Sequence, residues 1–296
     1  MSPVPPLPPY LARLYPFEPK RFATPAGAAM SYLDEGPRSE EAVVMLHGNP
    51  TWSFHYRHLV RALAPGRRCI VPDHVGMGLS DHPPDYDYGL SRRIDDVAAL
   101  IGWLGLKRVD LVVHDWGGAI GCGWAVRHPE RVGRIALLNT AAFPSRHVPR
   151  RIALCRMPVL GELWVRGANG FAGPAVRMAM RARALERDER RAYLHPYDSW
   201  AHRIAVHRFV RDIPLEADHP SRPVLEDIAH RLPGLAGRPI LLAWGAKDFC
   251  FDLHFLSRWR EIFPQAEVEI YPRAGHFVLE DAAPEIVDRL REFLRP

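Results

Sequence analysis

Apolar runs of strand length alternate with helical patterns along most of the chain. Residues 42–46 (AVVML) and 109–113 (VDLVV) are nearly continuous apolar segments, which is typical of strands covered on both faces of a parallel sheet. Ile94, Val97 and Ile101 follow a helical spacing between them. Further strands are predicted at residues 21–24, 28–33, 68–72, 132–138, 239–244 and 267–271.

The alternation stops between residues 141 and 232. This stretch has no clear strand pattern and predicts several short helices, including residues 177–191 and 199–210. An α/β fold with a mostly parallel sheet is therefore predicted from residues 1–140 and 233–296, with residues 141–232 inserted as a helical cap domain over the ligand-binding edge of the sheet. Other helices are predicted at residues 52–63, 90–104, 253–263 and 283–294.

The first residues, up to about residue 15, are rich in proline and predict an extended lead-in. They have neither a basic segment nor an apolar core, so they are not expected to be a signal peptide. No uncharged apolar run reaches the roughly 18 residues that a membrane span requires. We therefore expect a soluble cytoplasmic protein without a transmembrane segment.

The net charge of +5 and the pI near 9.2 raise the question of a nucleic-acid partner. Nearly all cationic side chains are arginines dispersed among acids, and lysine occurs only at Lys20, Lys107 and Lys247. Because no basic stripe with interleaved aromatic residues stands out, we expect no nucleic-acid partner. The arginine-rich region at residues 146–191 leaves an acidic partner or a membrane surface open.

The four cysteines, Cys69, Cys122, Cys155 and Cys250, lie far apart and show no paired spacing. Neither a disulfide framework nor a zinc site is indicated, and reduced, buried thiols are expected. Residues 76–78 contain Gly-x-Gly but lack the rest of a dinucleotide-binding fingerprint. We therefore expect no metal and no cofactor.

An aspartate lies where the strand at residues 109–113 meets a helix. Asp115 is followed by Trp116, Gly117 and Gly118, and a sharp strand-to-helix turn of this kind exposes the residue at its tip. A carboxylate there can attack carbon and form a covalent ester or anhydride. The alternative is that Asp115 caps the helix that begins at Gly117.

Three further segments supply groups that suit such a nucleophile. His276 lies in the loop after the last predicted strand, where a general base would be presented. Asp248 follows the strand at which the alternation resumes, and residues 47–50 (HGNP) follow the first long apolar strand. The chain order Asp115, Asp248, His276 is nucleophile, acid, base, as in α/β-hydrolases.

From about residue 20 to its end, the chain resembles the haloalkane dehalogenase branch of the α/β-hydrolase superfamily. The motifs are residues 47–52 (HGNPTW), 115–118 (DWGG), 247–248 (KD) and 275–276 (GH). Closer similarity to the OleB-type β-lactone decarboxylases of bacterial long-chain olefin synthesis rests on the arginine-laced cap and on residues 139–143 (NTAAF) and 197–201 (YDSWA).

This resemblance implies a role for each candidate site residue. Asp115 is the nucleophile, and His276, held by Asp248 through its other ring nitrogen, acts as general base or acid. Residues 139–140 offer no carboxylate, so Asp248 is the preferred acid. The backbone N–H groups of Asn49 and Trp116 form an oxyanion hole. Their side chains are then free to point at a leaving group, either a halide or a carboxylate.

Neighbouring polar residues are expected to have structural roles. His47 and His114 position the backbone, and Asp73 and Asp81 stabilise the loop at residues 76–78.

Two features of the cap leave alternatives open. Tyr193 and Tyr197 sustain an epoxide hydrolase hypothesis, because epoxide hydrolases resemble this branch and use cap tyrosines to protonate the epoxide oxygen. Several apolar residues either line a long acyl pocket or form the core of the cap, namely Leu154, Met157, Leu160, Leu163, Trp164 and Phe171.

The leading hypothesis, from the resemblance, is decarboxylation of a long-chain cis-β-lactone to a cis-alkene and CO2 in olefin biosynthesis. Hydrolytic haloalkane dehalogenation, epoxide hydrolysis and a non-catalytic scaffold role are the alternatives. The motifs alone specify an aspartate-based covalent catalyst and leave open whether Asp115 attacks the lactone carbonyl or the ring carbon bearing oxygen. The expected partners are a small hydrophobic substrate, olefin-pathway enzymes and a second copy of the chain, with the arginine-rich cap as a docking surface.

Overall fold

The computed structural model describes residues 6–295, which form an eight-stranded sheet flanked by helices. The strands are β1 (Lys20–Ala23), β2 (Ala29–Glu35), β3 (Glu41–Leu46), β4 (Cys69–Pro72), β5 (Arg108–Asp115), β6 (Val132–Thr140), β7 (Ile240–Gly245) and β8 (Glu267–Tyr271). Their order across the sheet is β1-β2-β4-β3-β5-β6-β7-β8. Strand β2 pairs antiparallel with β1 and β4, and every other neighbouring pair is parallel. The predicted mostly parallel sheet is confirmed.

Burial on both faces of the sheet explains the continuous apolar strands. In β3, Ala42, Val44 and Leu46 belong to one buried apolar cluster, whereas Val43 and Met45 belong to a second one. Successive side chains of a strand point to opposite faces. The sheet therefore separates two cores, each covered by helices.

Helices cover both faces of the sheet and fill the interval between β6 and β7. A segment of this interval, residues 141–232, is called the inserted segment below; its described residues contain helices and no strand. The helices are α1 (Pro9–Leu14), α2 (Arg57–Leu63), α3 (Leu90–Trp103), α4 (Trp116–Arg127), α5 (Arg150–Cys155), α6 (Leu160–Glu162), α7 (Ala172–Met178), α8 (Arg187–Leu194), α9 (Ile204–Arg211), α10 (Ser221–Arg231), α11 (Leu253–Ile262), α12 (Val278–Asp281) and α13 (Ala283–Phe293).

The predicted extended lead-in is wrong for the part that the structure describes; residues 1–5 lie outside it. Helix α1 begins at Pro9, where proline at the first helical position loses no hydrogen bond and presets the backbone angle φ. Leu11 and Tyr15 are buried, and the Tyr15 hydroxyl contacts Ser53 Oγ at 2.5 Å. The N-terminal segment is therefore attached to the core.

The predicted helix at residues 177–191 is also wrong, because α7 ends at Met178 and α8 begins at Arg187. The backbone between them bonds to other parts of the chain. The N–H groups of Arg181 and Ala182 donate to Asp281 at 2.7 and 3.0 Å. These bonds to α12 replace the intrahelical bonds that the sequence pattern predicts.

Two further predictions concern membrane spans and cysteines. Within residues 6–295, no helix is both long and apolar enough to cross a membrane. The cysteine thiols are free; Cys69, Cys122 and Cys155 are buried, whereas Cys250 is half-buried.

Candidate active site

Asp115 lies at the sharp turn between β5 and α4. Its backbone has φ 52° and ψ −127°, a left-handed region that costs energy for a residue other than glycine. Gly117 allows the close approach of helix and strand, since a Cβ there would lie 1.9 Å from the Leu46 carbonyl oxygen. The Thr140 hydroxyl on β6 donates to the Asp115 carbonyl and holds the turn. The carboxylate thereby projects beyond the carboxyl-terminal end of β5.

The remaining candidate residues follow the carboxyl ends of neighbouring parallel strands. Asn49 lies after β3, Asp248 after β7 and His276 after β8. Parallel strands bring these ends to one edge of the sheet. The structure therefore places all three beside Asp115.

His276 lies between the two carboxylates. Its Nδ1–H donates to Asp248 Oδ2 at 2.8 Å, and its Nε2 lies 3.6 Å from Asp115 Oδ2. The other oxygen of Asp248 accepts from the Cys250 N–H at 2.6 Å, so both Asp248 oxygens are used. This geometry fixes the imidazole with Nε2 toward Asp115, as a proton donor or acceptor at that atom requires.

Burial and charge act in opposite directions on this pair. Burial raises the pKa of Asp115; His276 and the backbone N–H groups of Trp116 and Asn49 reduce that increase, and the net pKa stays above its usual value. Burial lowers the pKa of His276, but the Asp248 carboxylate and then Asp115 more than offset this and raise it overall. The two carboxylates beside His276 therefore favour its imidazolium form, and His276 favours the ionised form of Asp115.

The side-chain amide of Asn49 has a hydrogen-bond partner that the sequence analysis did not predict. The Asn49 N–H donates to Asp115 Oδ1 at 2.7 Å, but the Asn49 side-chain amide donates to the Val206 carbonyl of α9 at 3.0 Å. This bond uses one of the two amide hydrogens, so the prediction that the amide meets a leaving group stays a prediction for the other hydrogen. The Trp116 indole N–H has no hydrogen-bond partner in the part of the chain that the structure describes.

A mainly apolar cavity of about 980 Å³, measured with its open mouth, begins at Asp115. Asn49, Trp116 and His276 line its polar end. Its apolar walls come from both the sheet side and the inserted segment, and they include Phe143, Val148, Ile152, Phe171, Val210, Ile213, Leu225, Phe251 and Phe255. A carboxylate at the end of an apolar cavity suits a hydrophobic substrate with one polar group.

Among the six cap residues predicted to line an acyl pocket or form a core, Phe171 lines the cavity. The prediction is wrong for the other five, because they are exposed: Leu154, Met157, Leu160, Leu163 and Trp164.

The chain matches the model of the alpha/beta hydrolase fold over residues 41–283. It belongs to this family. The protein is 47% identical over 291 residues to the cis-3-alkyl-4-alkyloxetan-2-one decarboxylase of Xanthomonas campestris pv. campestris, covering 95% of this chain and 97% of the relative. It is 45% identical over 290 residues to the decarboxylase of the same name from Shewanella oneidensis, covering 96% and 90%.

Haloalkane dehalogenases are more distant relatives. Haloalkane dehalogenase 2 of Mycobacterium tuberculosis is 30% identical over 292 residues, covering 95% of this chain and 96% of the relative. The crystal structure of haloalkane dehalogenase DbeA from Bradyrhizobium elkani superposes with a TM-score of 0.85 at 26% identity, covering 93% of this chain and 96% of that one.

The two cap tyrosines do not line the cavity. The Tyr193 hydroxyl donates to Glu280 Oε1 at 2.7 Å, and the Tyr197 hydroxyl donates to the Thr51 carbonyl at 3.2 Å. Both are buried away from Asp115 and already donate their protons. This placement argues against the epoxide hydrolase hypothesis, which needs a tyrosine that faces the substrate.

Buried polar residues hold the backbone around the site. His114 Nε2–H donates to the His276 carbonyl at 2.8 Å, and His47 Nε2 accepts from the His74 N–H at 3.1 Å. Asp73 Oδ2 accepts from the Leu79 N–H at 2.9 Å. The predicted structural role of His47, His114 and Asp73 is confirmed.

Asp81 supports the same loop from its other end. Its Oδ2 accepts from the Ala29 N–H at 2.9 Å, and its other oxygen pairs with Arg21. These bonds attach the loop to the antiparallel edge of the sheet, and they confirm the structural role predicted for Asp81.

Two acids that the sequence analysis missed hold the loop of His276. Asp281 accepts from the Gly275 N–H at 2.7 Å and also binds the inserted segment. Glu280 is fully buried and bonds to Arg57, Arg183 and Tyr193. The available signal was the acidic pair that follows His276 so closely in the sequence, within an otherwise apolar stretch.

Among residues 6–295, no group of three or more His, Cys, Asp or Glu side chains is placed to hold a metal ion. The ionisable residues at the site instead contact one another, His276 with Asp248 and with Asp115.

Proposed function

We propose that the protein decarboxylates a long-chain cis-β-lactone to a cis-alkene and CO2, in olefin biosynthesis. The observation that carries this choice of reaction is the similarity to two cis-3-alkyl-4-alkyloxetan-2-one decarboxylases, at 45–47% identity over nearly the full length, against 30% for a haloalkane dehalogenase. An oxetan-2-one is a β-lactone, and its two alkyl substituents suit the apolar cavity beside Asp115.

The inserted segment is proposed to act as a cap domain that closes this site. Phe171 and Val210 from it line the cavity, and the Val206 carbonyl binds the Asn49 side chain. A cover of this kind keeps water from the reacting carbon. Exclusion of water matters here because the proposed reaction consumes none.

Asp115 is proposed to attack the ring carbon that bears the ring oxygen. Asp115 Oδ1 already accepts the Asn49 N–H, so that bond persists when Oδ2 becomes esterified. Attack on the lactone carbonyl would instead require the N–H groups to move to the substrate oxygen. As the new C–O bond forms, the ring C–O bond breaks, and the ring oxygen becomes part of a substrate carboxylate. Trp116 lines the cavity, and its indole N–H is the proposed donor to that carboxylate.

Breakdown of this ester then needs neither water nor a net proton. The bond from the substrate carboxylate to its neighbouring carbon breaks, and its electron pair forms the alkene. The ester C–O bond breaks at the same time, which releases CO2 and restores the Asp115 carboxylate. An imidazolium at His276, 3.6 Å from Asp115 Oδ2, stabilises the departing carboxylate. Asp248 keeps His276 oriented and charged for this step.

Hydrolytic dehalogenation is the second candidate, because dehalogenases share the fold and a related sequence. That reaction requires His276 to activate water against the ester. The two candidates therefore assign opposite proton states to His276 at the moment of ester breakdown.

We further propose that the enzyme supplying the lactone is a partner of this protein and that the chain self-associates. Light scattering of the protein alone and with a lactone-forming enzyme tests both ideas. A monomer in both mixtures contradicts them.

A paired assay on one enzyme preparation tests the proposed reaction. Alkene formed from a long-chain cis-β-lactone is measured by gas chromatography, and halide release is measured from a short dibromoalkane, with Asp115→Asn as the blank. We expect alkene formation to dominate and to require Asp115. Halide release with the lactone unchanged would instead establish the dehalogenase function.

A further inference from the structure

The inserted segment presents a continuous stretch of exposed apolar side chains. Each is between 40% and 70% exposed, in a molecule whose other large apolar residues are mostly buried. A cluster of this size on a surface marks a contact with another molecule or a membrane. The members of this apolar rim are Leu154, Met157, Val159, Leu160, Leu163 and Trp164.

Positive charge is concentrated in the same part of the chain. Residues 141–185 contain eight arginines and a single acid, Glu162, which gives this stretch a charge of +7. The whole chain carries +5, so all its other residues together carry −2. The protein is therefore polarised, with its positive side on the inserted segment.

Several of these arginines are available to an external anion. Arg146, Arg150, Arg151, Arg177 and Arg181 are exposed and have no acidic side chain within 4.0 Å among residues 6–295. Three of them precede the apolar rim directly in the sequence. Arginine binds phosphate oxygens with two parallel hydrogen bonds, which suits a phospholipid headgroup.

The apolar rim begins two residues after a residue that lines the cavity. In α5, Ile152 lines the cavity whereas Leu154, two residues later, is 61% exposed. His147 also lines the cavity and its side chain is 53% exposed, so the cavity reaches the surface just before α5. A hydrophobic molecule that leaves a bilayer at this surface therefore meets the cavity without crossing bulk water.

We infer that the apolar rim and its flanking arginines bind the surface of an anionic phospholipid bilayer. The apolar side chains insert at the boundary of headgroups and acyl chains, and the arginines bind lipid phosphates. Trp164, with an apolar ring and a polar N–H, suits that boundary. A second copy of the chain is the poorer occupant, because symmetric pairing would bring two surfaces with unpaired arginines together. This inference does not depend on which reaction Asp115 performs.

Vesicle flotation of the full-length protein tests this inference. We expect the protein to float with vesicles of phosphatidylcholine and phosphatidylglycerol at low salt, to bind pure phosphatidylcholine weakly and to dissociate as salt rises. Leu160→Glu with Leu163→Glu should reduce binding by roughly tenfold or more, because two carboxylates replace inserted apolar groups. Val268→Glu, at an exposed apolar residue of β8, is the control and should bind like wild type.

The electrostatic contribution has its own matched pair of variants. Arg146→Gln with Arg150→Gln should weaken binding to anionic vesicles by roughly 30-fold, at about fivefold for each arginine near the surface. Arg38→Gln removes an exposed arginine outside the inserted segment and should change little. Circular dichroism of each variant verifies that it is folded.

Three results would overturn the inference. The first is no flotation of the wild type with anionic vesicles. The second is equal flotation of the folded Leu160→Glu, Leu163→Glu variant. The third is a wild-type dimer that this variant abolishes, without any binding to vesicles, since the apolar rim would then be a contact between copies.

Discussion

At the scale of single residues, the arrangement of Asp115, His276 and Asp248 determines which chemistry is accessible. Asp115 Oδ1 is bonded to the Asn49 N–H, and Oδ2 is therefore the proposed attacking atom. His276 lies 3.6 Å from that oxygen and is held by Asp248 at 2.8 Å. Burial leaves the ionised carboxylate poorly solvated, which makes it a better nucleophile than one in water, and the neighbouring imidazole opposes its protonation.

Asp115→Asn should abolish turnover of the lactone while preserving the fold. The amide oxygen can still accept the Asn49 N–H, so the turn should persist. Loss of the nucleophile is expected to lower kcat on the order of 10⁴-fold or more. Rapid-quench measurement of alkene formation tests this. Residual activity within tenfold of wild type would mean that another group initiates the reaction.

The pH dependence of kcat with saturating lactone should be bell-shaped, because both ester formation and ester breakdown contribute to kcat. Activity should fall on the acid side as Asp115 is protonated, at a pH above the ordinary range of an aspartate because its pKa is raised by burial. It should fall on the alkaline side as His276 loses its proton, above its ordinary pKa of about 6.5, since the neighbouring carboxylates raise that pKa. A hydrolytic base at His276 would give a rise there instead.

Asp248→Asn is the control for this assignment. Without the Asp248 carboxylate, burial should lower the pKa of His276. The alkaline limb should therefore move to lower pH, whereas the acid limb moves much less. An unchanged alkaline limb would show that it reports a different group.

The candidate residues themselves could be predicted from local sequence, but their contacts could not. The chain order of Asp115, Asp248 and His276 and their positions after strands predict a shared edge of the sheet. The bond from the Asn49 amide to Val206 joins residues 157 positions apart. No local pattern specifies which carbonyl of α9 lies over Asn49.

At the scale of secondary-structure elements, the junction of β5 and α4 depends on close backbone contact. Gly117→Ala places a Cβ 1.9 Å from the Leu46 carbonyl oxygen, which belongs to the neighbouring strand. We expect a loss of roughly 3 kcal/mol or more in the free energy of unfolding, or failure to fold. At Gly66 no atom lies within 4 Å of a new Cβ. The free energy of unfolding of Gly66→Ala should therefore stay within about 0.5 kcal/mol of the wild-type value. Urea unfolding compares the two; equal stability would contradict this account of the turn.

The buried ion network between α12, α2 and the inserted segment should contribute strongly to stability. Glu280 bonds to Arg57 at 3.0 Å and to Arg183 at 2.7 Å, and its side chain is fully buried. Glu280→Gln removes the buried carboxylate that both arginines share and leaves them Glu189, at 3.3 Å from Arg57 and 2.7 Å from Arg183. It should lower the free energy of unfolding by roughly 3 kcal/mol, near the lower end for a broken buried ion pair.

An exposed ion pair serves as the matched control for that change. Glu40 pairs with Lys107 at 2.8 Å, and both side chains are more than half exposed. Glu40→Gln should therefore cost less than about 1 kcal/mol. Similar denaturation midpoints for the Glu280 and Glu40 variants would show that the network contributes little.

Element boundaries were predictable where a helix or strand packs on the sheet and less so elsewhere. The apolar spacing at residues 90–104 predicts α3 to within one residue. Between α7 and α8, by contrast, backbone N–H groups bind Asp281, a hundred residues away from Arg181. Tertiary bonds of this kind override a helical pattern, and a single sequence does not show them.

At the scale of the whole molecule, the sheet positions the candidate site residues and the inserted segment supplies part of the cavity wall beside them. The sequence predicts this division because strand patterns stop at residue 141 and resume near residue 239. It does not distinguish buried apolar residues of the inserted segment from exposed ones. Phe171 faces the cavity and lies just before the short helix α7, whereas Leu160 begins the short helix α6 and is 62% exposed.

The central claim is that Asp115 forms an ester with the lactone and that this ester breaks down without water. Turnover of a long-chain cis-β-lactone in H₂¹⁸O, followed by mass spectrometry of the products and of the peptide containing Asp115, tests it most directly. We predict that alkene accumulates and that Asp115 acquires no ¹⁸O. A hydroxy acid product together with ¹⁸O in the Asp115 carboxylate would contradict the claim, because both arise when His276 directs water at the ester.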